Sequence, residues 1–198
     1  MTMTSMTTRN RRLTIAIAIL LALSTLTAAA AQPRQAANAP SVSDQAGVIR
    51  FRPQPAGVQV GGTITVEVWL EGVSGYYGMD MKLSFDTSRL QAVSTKVTPL
   101  WDVFDEDNHF TIRNQVDNAT GLVWYAVTNI NPAEPFAGAG RICSITFTGV
   151  AEGTAVLEFT DTKGSTKDGD ALWPTQVDGT VVVGQDVYRI HLPVVAVQ

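Results

Sequence analysis

GYYGMDMKLSFDTSRL, residues 75–90, is the stretch on which the fold turns. Tyr77, Met79, Met81, Leu83 and Phe85 fall on one side, and Asp80, Lys82 and Ser84 on the other. Period-two alternation marks a half-buried β-strand with an apolar inner face and a polar outer one. The run stops at Asp86-Thr87-Ser88, where short polar side chains bond nearby backbone and favour a turn. Leu90 then returns an apolar side chain.

Outward from this strand the same grammar repeats. Val48–Phe51 predicts a short strand. After the Gly61-Gly62 turn, Thr63–Leu70 alternates, with Ile64, Val66, Val68 and Leu70 inward and Trp69 outward. Gly72–Gly75 reads as the next turn. Leu90–Thr95 and Phe110–Asn114 predict strands on either side of a loop at 97–110 that carries aromatics and acids. Asp117-Asn118-Ala119-Thr120-Gly121 is strong turn chemistry. Leu122–Asn129 is apolar on both sides, so it is either buried on both faces or carries an exposed face built for contact. Arg141–Thr148, Thr154–Thr160 and Gly179–Val183 complete the series, with Asn131–Gly140 and Asp161–Asp170 as loops. About nine strands and no amphipathic helix predict an all-β sandwich.

The ends differ from this pattern. Arg9, Arg11 and Arg12 precede an apolar run, Leu13–Leu26, and the small residues Ala28–Ala31. This predicts a signal peptide over 1–31; the run is short for a membrane span, which needs about 20 residues. No later stretch is apolar enough to span. The expected location is therefore secreted or cell-surface, on a bacterial export route. Residues 32–46 read as a flexible linker, 47–184 as the β-sandwich, and 185–198 as a C-terminal tail containing YRIHLPVV.

The chain has 14 Lys and Arg against 18 Asp and Glu; without the three leader arginines the balance is 11 against 18, a net charge of −7. That argues against nucleic acid, which selects a basic face. The single cysteine, Cys143, excludes an internal disulfide, and its place beside Ile145 and Phe147 makes it a core residue.

No catalytic residue is expected. His109 and His191 sit in no zinc pattern, and no nucleophile elbow or phosphate loop is present. No metal or cofactor is expected either. Asp105-Glu106-Asp107-Asn108 and Asp161–Asp170 are rich in oxygen, but they lack the central Gly and terminal Glu of an EF-hand. Asn118-Ala119-Thr120 has the form of a glycosylation sequon.

The order of the segments resembles the cohesin family. Met81, Leu83, Phe85, Asp86 and Leu90 stand where the family has an alternating strand followed by Leu-x-Tyr-Asp-Pro-x-x-Leu, with Phe85 for Tyr and Thr87 for Pro. Gly121–Thr128, Gly140–Phe147, Gly153–Phe159 and Val177–Val183 are similar to the family's later strands in the same order. The segment 97–110 departs from the family. The resemblance implies a jelly-roll β-sandwich that binds dockerin modules, small calcium-dependent helical domains, across a flat sheet face containing the 75–85 strand. Calcium would then belong to the partner. The candidate contact residues are Asp80, Lys82 and Ser84, joined by Trp124 and Thr128 of the Leu122–Asn129 strand. Alternation leaves either Trp124 or Tyr125 outward. The alternatives are a carbohydrate-binding module holding polysaccharide on Trp69, Trp101 or Trp173, and a structural surface domain.

Overall fold

The computed structural model describes residues 45–184. The leader, most of the linker and the tail fall outside the described residues. Among the described residues, thirteen strands form two sheets. They are β1 (Val48–Arg52), β2 (Ala56–Val58), β3 (Thr63–Tyr76), β4 (Gly78–Phe85), β5 (Leu90–Ala92), β6 (Thr98–Pro99), β7 (His109–Asp117), β8 (Leu122–Asn129), β9 (Phe136–Gly149), β10 (Gly153–Ser165), β11 (Ala171–Leu172), β12 (Thr175–Val177) and β13 (Gly179–Val183). All nine expected segments are present, and β2, β6, β11 and β12 are short additions.

One sheet runs β12-β1-β3-β9-β5, with β6 also on β9; the other runs β2-β13-β10-β4-β8-β7, with β11 also on β10. Their inner faces share one core. Val66, Val68 and Phe147 come from the first sheet; Met81, Leu83, Val123, Tyr125 and Val181 come from the second. Two ring pairs tie the layers together. Phe51 stacks on Phe159 with centroids 4.5 Å apart, and Phe85 meets Phe147 at 5.1 Å. Cys143 is fully buried, and burial pushes its thiol pKa up.

The structure corrects several local expectations. The loop expected over Asn131–Gly140 ends at Pro135, because β9 begins at Phe136 and pairs there with Tyr76, and the strand expected over Leu90–Thr95 ends at Ala92. Gly72–Gly75 is no turn: β3 runs on to Tyr76, and its register against β9 slips at two points in that region. Gly72 and Gly75 take left-handed backbone there, so they kink a long strand instead of ending it. As a result Tyr76 enters the core, while Tyr77 stands between β3 and β4 beneath Lys167. The expected loop at 161–170 is strand as far as Ser165, carried past a register shift between Phe159 and Asp161. The loop at 97–110 contains β6 and the start of β7.

The β7–β8 hairpin is fixed by its turn. Asp117 accepts hydrogen bonds from the Ala119 amide and the Thr120 hydroxyl at 2.8 and 3.0 Å. Gly121 closes it at φ +68°, where a Cβ would lie 2.3 Å from the Phe85 carbonyl oxygen. That hairpin sets the register of the face described next.

Candidate functional site

Strands β10, β4, β8 and β7 lie side by side, so their outward residues form rows. From the paired registers, the rows read Glu158–Ser84–Leu122–Asp117, Asp161–Lys82–Trp124–Gln115, Lys163–Asp80–Ala126–Arg113 and Ser165–Gly78–Thr128–Phe110. Rows two residues apart along a strand are roughly 7 Å apart, and four strands are about 14 Å wide. The alternation of β8 is now settled. Tyr125 is fully buried with Val123 and Val127, so Trp124 and Thr128 face outward.

All five sequence-predicted residues therefore share this face, and three of them touch. The Trp124 indole N–H donates to Asp80 Oδ1 at 2.7 Å. Lys82 Nζ lies 4.8 Å from the centre of the Trp124 ring, and Arg113 Cζ lies 4.6 Å from it. The two cations come from the strands on either side of β8. Lys82 also donates to Asp161 at 2.9 Å, a bond that raises the lysine pKa and holds it charged. Trp124 is thus a half-buried, oriented side chain. Ser84 stands one row further along, opposite Leu122. The Thr128 hydroxyl faces the backbone oxygens of Asn129 and Tyr77 at 3.2 and 3.4 Å.

Sequence reasoning passed over the contribution of β7. The register shifts between Thr111 and Arg113, so one extra residue is inserted. Such a bulge re-aims side chains. Ile112 and Arg113 are consecutive yet both exposed. Phe110 and Ile112 are 60% and 62% exposed. The visible signal was two large apolar residues at spacing two in a strand with few other apolar positions.

The outward face of the other sheet differs in kind. Arg50 and Arg52 pair with Glu71, and Arg141 pairs with Asp102 and Glu67. The Trp69 indole donates to Glu67 at 2.8 Å and lies under Arg52. Thr65 and Thr146 join hydroxyl to hydroxyl at 2.9 Å. Its charges are neutralised internally.

The remaining candidates are accounted for by local structure. The Asp105 carboxylate accepts from the amides of Asp107 and Asn108 and from the Asn108 side chain, which lowers its pKa. His109 Nδ1 lies 2.9 Å from the Glu106 carbonyl oxygen, and its ring packs on Trp101. Among the described residues, no group of three or more metal-capable side chains converges. Asn118 is held at both ends of its amide by the backbone of Ala92, at 2.7 and 2.9 Å, so this sequon asparagine has a structural task. Trp173 is 64% exposed, whereas Trp101 packs against the core. No helix among the described residues is long and apolar enough to cross a membrane.

Comparison with known proteins agrees with the architecture. No curated protein matches the sequence. Among solved structures, the chain is similar to a cohesin module of a family 33 glycoside hydrolase from Clostridium perfringens. That match has TM-score 0.57 and 15% identity, and covers 70% of this chain and 96% of that one. A cohesin in a type I cohesin–dockerin complex from Clostridium thermocellum matches at TM-score 0.58 and 12% identity, covering 70% and 94%. A non-cellulosomal cohesin from the archaeon Archaeoglobus fulgidus matches at TM-score 0.57 and 14% identity, covering 74% and 100%. These likenesses establish the fold. The family model described as Cohesin domain matches residues 53–183, more than half of the chain. With its two-sheet sandwich and the order of its strands, this chain belongs to the cohesin domain family.

Proposed function

We propose that this chain is an exported, non-catalytic binding module that recognises a dockerin-type protein module through the outward face of β10-β4-β8-β7. Its setting is an extracellular or cell-surface assembly of proteins that break down polysaccharide. Asp80, Lys82, Ser84, Trp124 and Thr128 make the contact surface. Residues 1–31 serve as the signal peptide, 32–46 as linker, 47–184 as the binding domain and 185–198 as a tail. The chain itself needs no cofactor; any calcium is brought by the partner.

The observation that carries this reading is the oriented Trp124, held by Asp80 and flanked by Lys82 and Arg113 on an otherwise open sheet. Interfaces are anchored by aromatic residues and Arg inside a polar rim. The opposite sheet face, whose charges are already paired, offers a partner less. Solved relatives include cohesin–dockerin complexes, which supports the class of partner.

Trp173 favours a second reading, direct binding of polysaccharide, because its ring is open and a planar aromatic suits a sugar face. Trp124 argues against that reading, since stacking a sugar on it would compete with Lys82 or Arg113. The deciding experiment titrates the full chain against a panel of dockerin modules and a panel of soluble polysaccharides. Saturable binding to a dockerin, and to no glycan, is expected. Binding to glycans alone would replace this proposal with the second reading.

A further inference from the structure

One end of the candidate face is shaped differently from the rest. In the row Ser165–Gly78–Thr128–Phe110 the second strand carries no side chain. The result is a shallow depression of about 350 Å³ with Gly78 in its floor and Ile112 and Lys163 among its lining residues. The flanking side chains close in on the glycine: a Cβ there would sit 2.7 Å from Ser165 Oγ and 3.1 Å from Thr128 Oγ1. Phe110 stands at the end of the same row.

Two properties of this end point to the chemistry of its occupant. The first is apolar exposure. Scattered exposed apolar residues are ordinary. Phe110 and Ile112, however, are both more than half exposed, on one strand, beside a depression, and a bulge brings Ile112 there. The second is charge. Lys163 and Arg113 make no ion pair among the described residues, although acids outnumber bases in the chain. Asp80, the carboxylate paired across from Lys163, accepts from the Trp124 indole.

We propose that this end is the specificity-determining part of the face. It seats an apolar side chain of the partner over Gly78, against Ile112 and Phe110, and draws carboxylates flanking that side chain toward Lys163 and Arg113. This rests on the protein-partner reading above and adds the chemistry that selects the partner. Apolar contact in a desolvated centre supplies the affinity, and the charged rim supplies selectivity and encounter rate.

The test uses the full chain and the dockerin that binds it tightest in the panel, measured by isothermal titration calorimetry. Four variants are compared with wild type: Phe110→Ser with Ile112→Ser as a pair, Lys163→Glu, Trp124→Ala, and Val93→Ser. Val93 is 61% exposed and follows β5 in the other sheet, so it controls for loss of an exposed apolar side chain elsewhere. The Phe110/Ile112 pair is expected to weaken binding by roughly tenfold or more. Lys163→Glu is expected to weaken it about threefold or more and to flatten its salt dependence. Val93→Ser is expected to leave it unchanged. If Trp124→Ala weakens binding while the Phe110/Ile112 pair and Lys163→Glu stay within about twofold of wild type, the inference is overturned and the proposed function stands. Equal weakening by Val93→Ser also overturns it. If wild type binds no dockerin, the proposed function falls and takes the inference with it.

Discussion

Replacing Trp124 tests whether the face is organised in advance of binding. Trp124→Phe keeps a ring for Lys82 and Arg113 but deletes the N–H that reaches Asp80 at 2.7 Å. A hydrogen bond to a charged group contributes about 1.5–3 kcal/mol. Trp124 is only half-buried, so screening by solvent brings the expected cost to about 1 kcal/mol. Trp124→Ala also removes the ring. Each cation–π contact at an exposed site contributes about 0.5–1 kcal/mol, which takes the total to about 2–3 kcal/mol. A domain with ordinary stability, about 5–15 kcal/mol, survives either change. Urea denaturation followed by tryptophan-independent circular dichroism reads the loss. A double-mutant cycle of Trp124→Phe with Asp80→Ala then isolates the bond, with about 1 kcal/mol of coupling expected. Zero coupling, together with an unchanged midpoint for Trp124→Phe, would mean that the indole is not held. The argument for an oriented anchor would then fail.

Three further outcomes follow from the geometry. Tyr125 buries its hydroxyl with no hydrogen-bond partner among the described residues, so Tyr125→Phe should be neutral or stabilising by up to about 1 kcal/mol in denaturant melts; a clear loss of stability would mean that the hydroxyl has a partner such as a buried water. Gly121→Ala should destabilise by more than about 1 kcal/mol, because a side chain at φ +68° is strained and its Cβ meets the Phe85 carbonyl oxygen; wild-type stability would contradict the turn geometry. Asp86, Asp102, Asp105 and Asp117 all have lowered pKa values, caused chiefly by hydrogen bonds from Ser88, Arg141, Asn108 and the Ala119 amide respectively. Their contribution is present above the unfolded carboxyl value of about 3.9 and is lost as pH falls through the lower folded values, so denaturant melts should show stability dropping below about pH 4.

The parts of this fold that the sequence made legible are those where burial enforces a strict period. β4 alternates because one side of it meets the core, and the observed bounds of β8 and β13 match the expected ones to the residue. The parts missed are those where a bulge breaks the period. Gly72 and Gly75 have the composition of a turn, and only the pairing of β3 with β9 shows that the strand passes through them. The end of β10 is polar, so its residues past Asp161 resembled a loop until their pairing with β4 was visible. The site shows the same division. Asp80, Lys82 and Ser84 followed from alternation along one strand. Arg113, Phe110 and Ile112 depend on which strand lies next to β8 and on an inserted residue, and local sequence encodes neither. Trp124 or Tyr125 could each have been outward, because a strand apolar on both sides has no sign. Tyr125 in the core fixed it.

The most direct test of the central claim is a map of backbone amide shifts of the full chain, with and without its tightest-binding dockerin, by two-dimensional NMR. The account predicts perturbations concentrated on β10, β4, β8 and β7, strongest around Gly78, Asp80, Trp124 and Ile112, with the outward residues of β1, β3 and β9 unmoved. Perturbations concentrated on the Arg50, Glu67 and Arg141 face, or around Trp173, would contradict it.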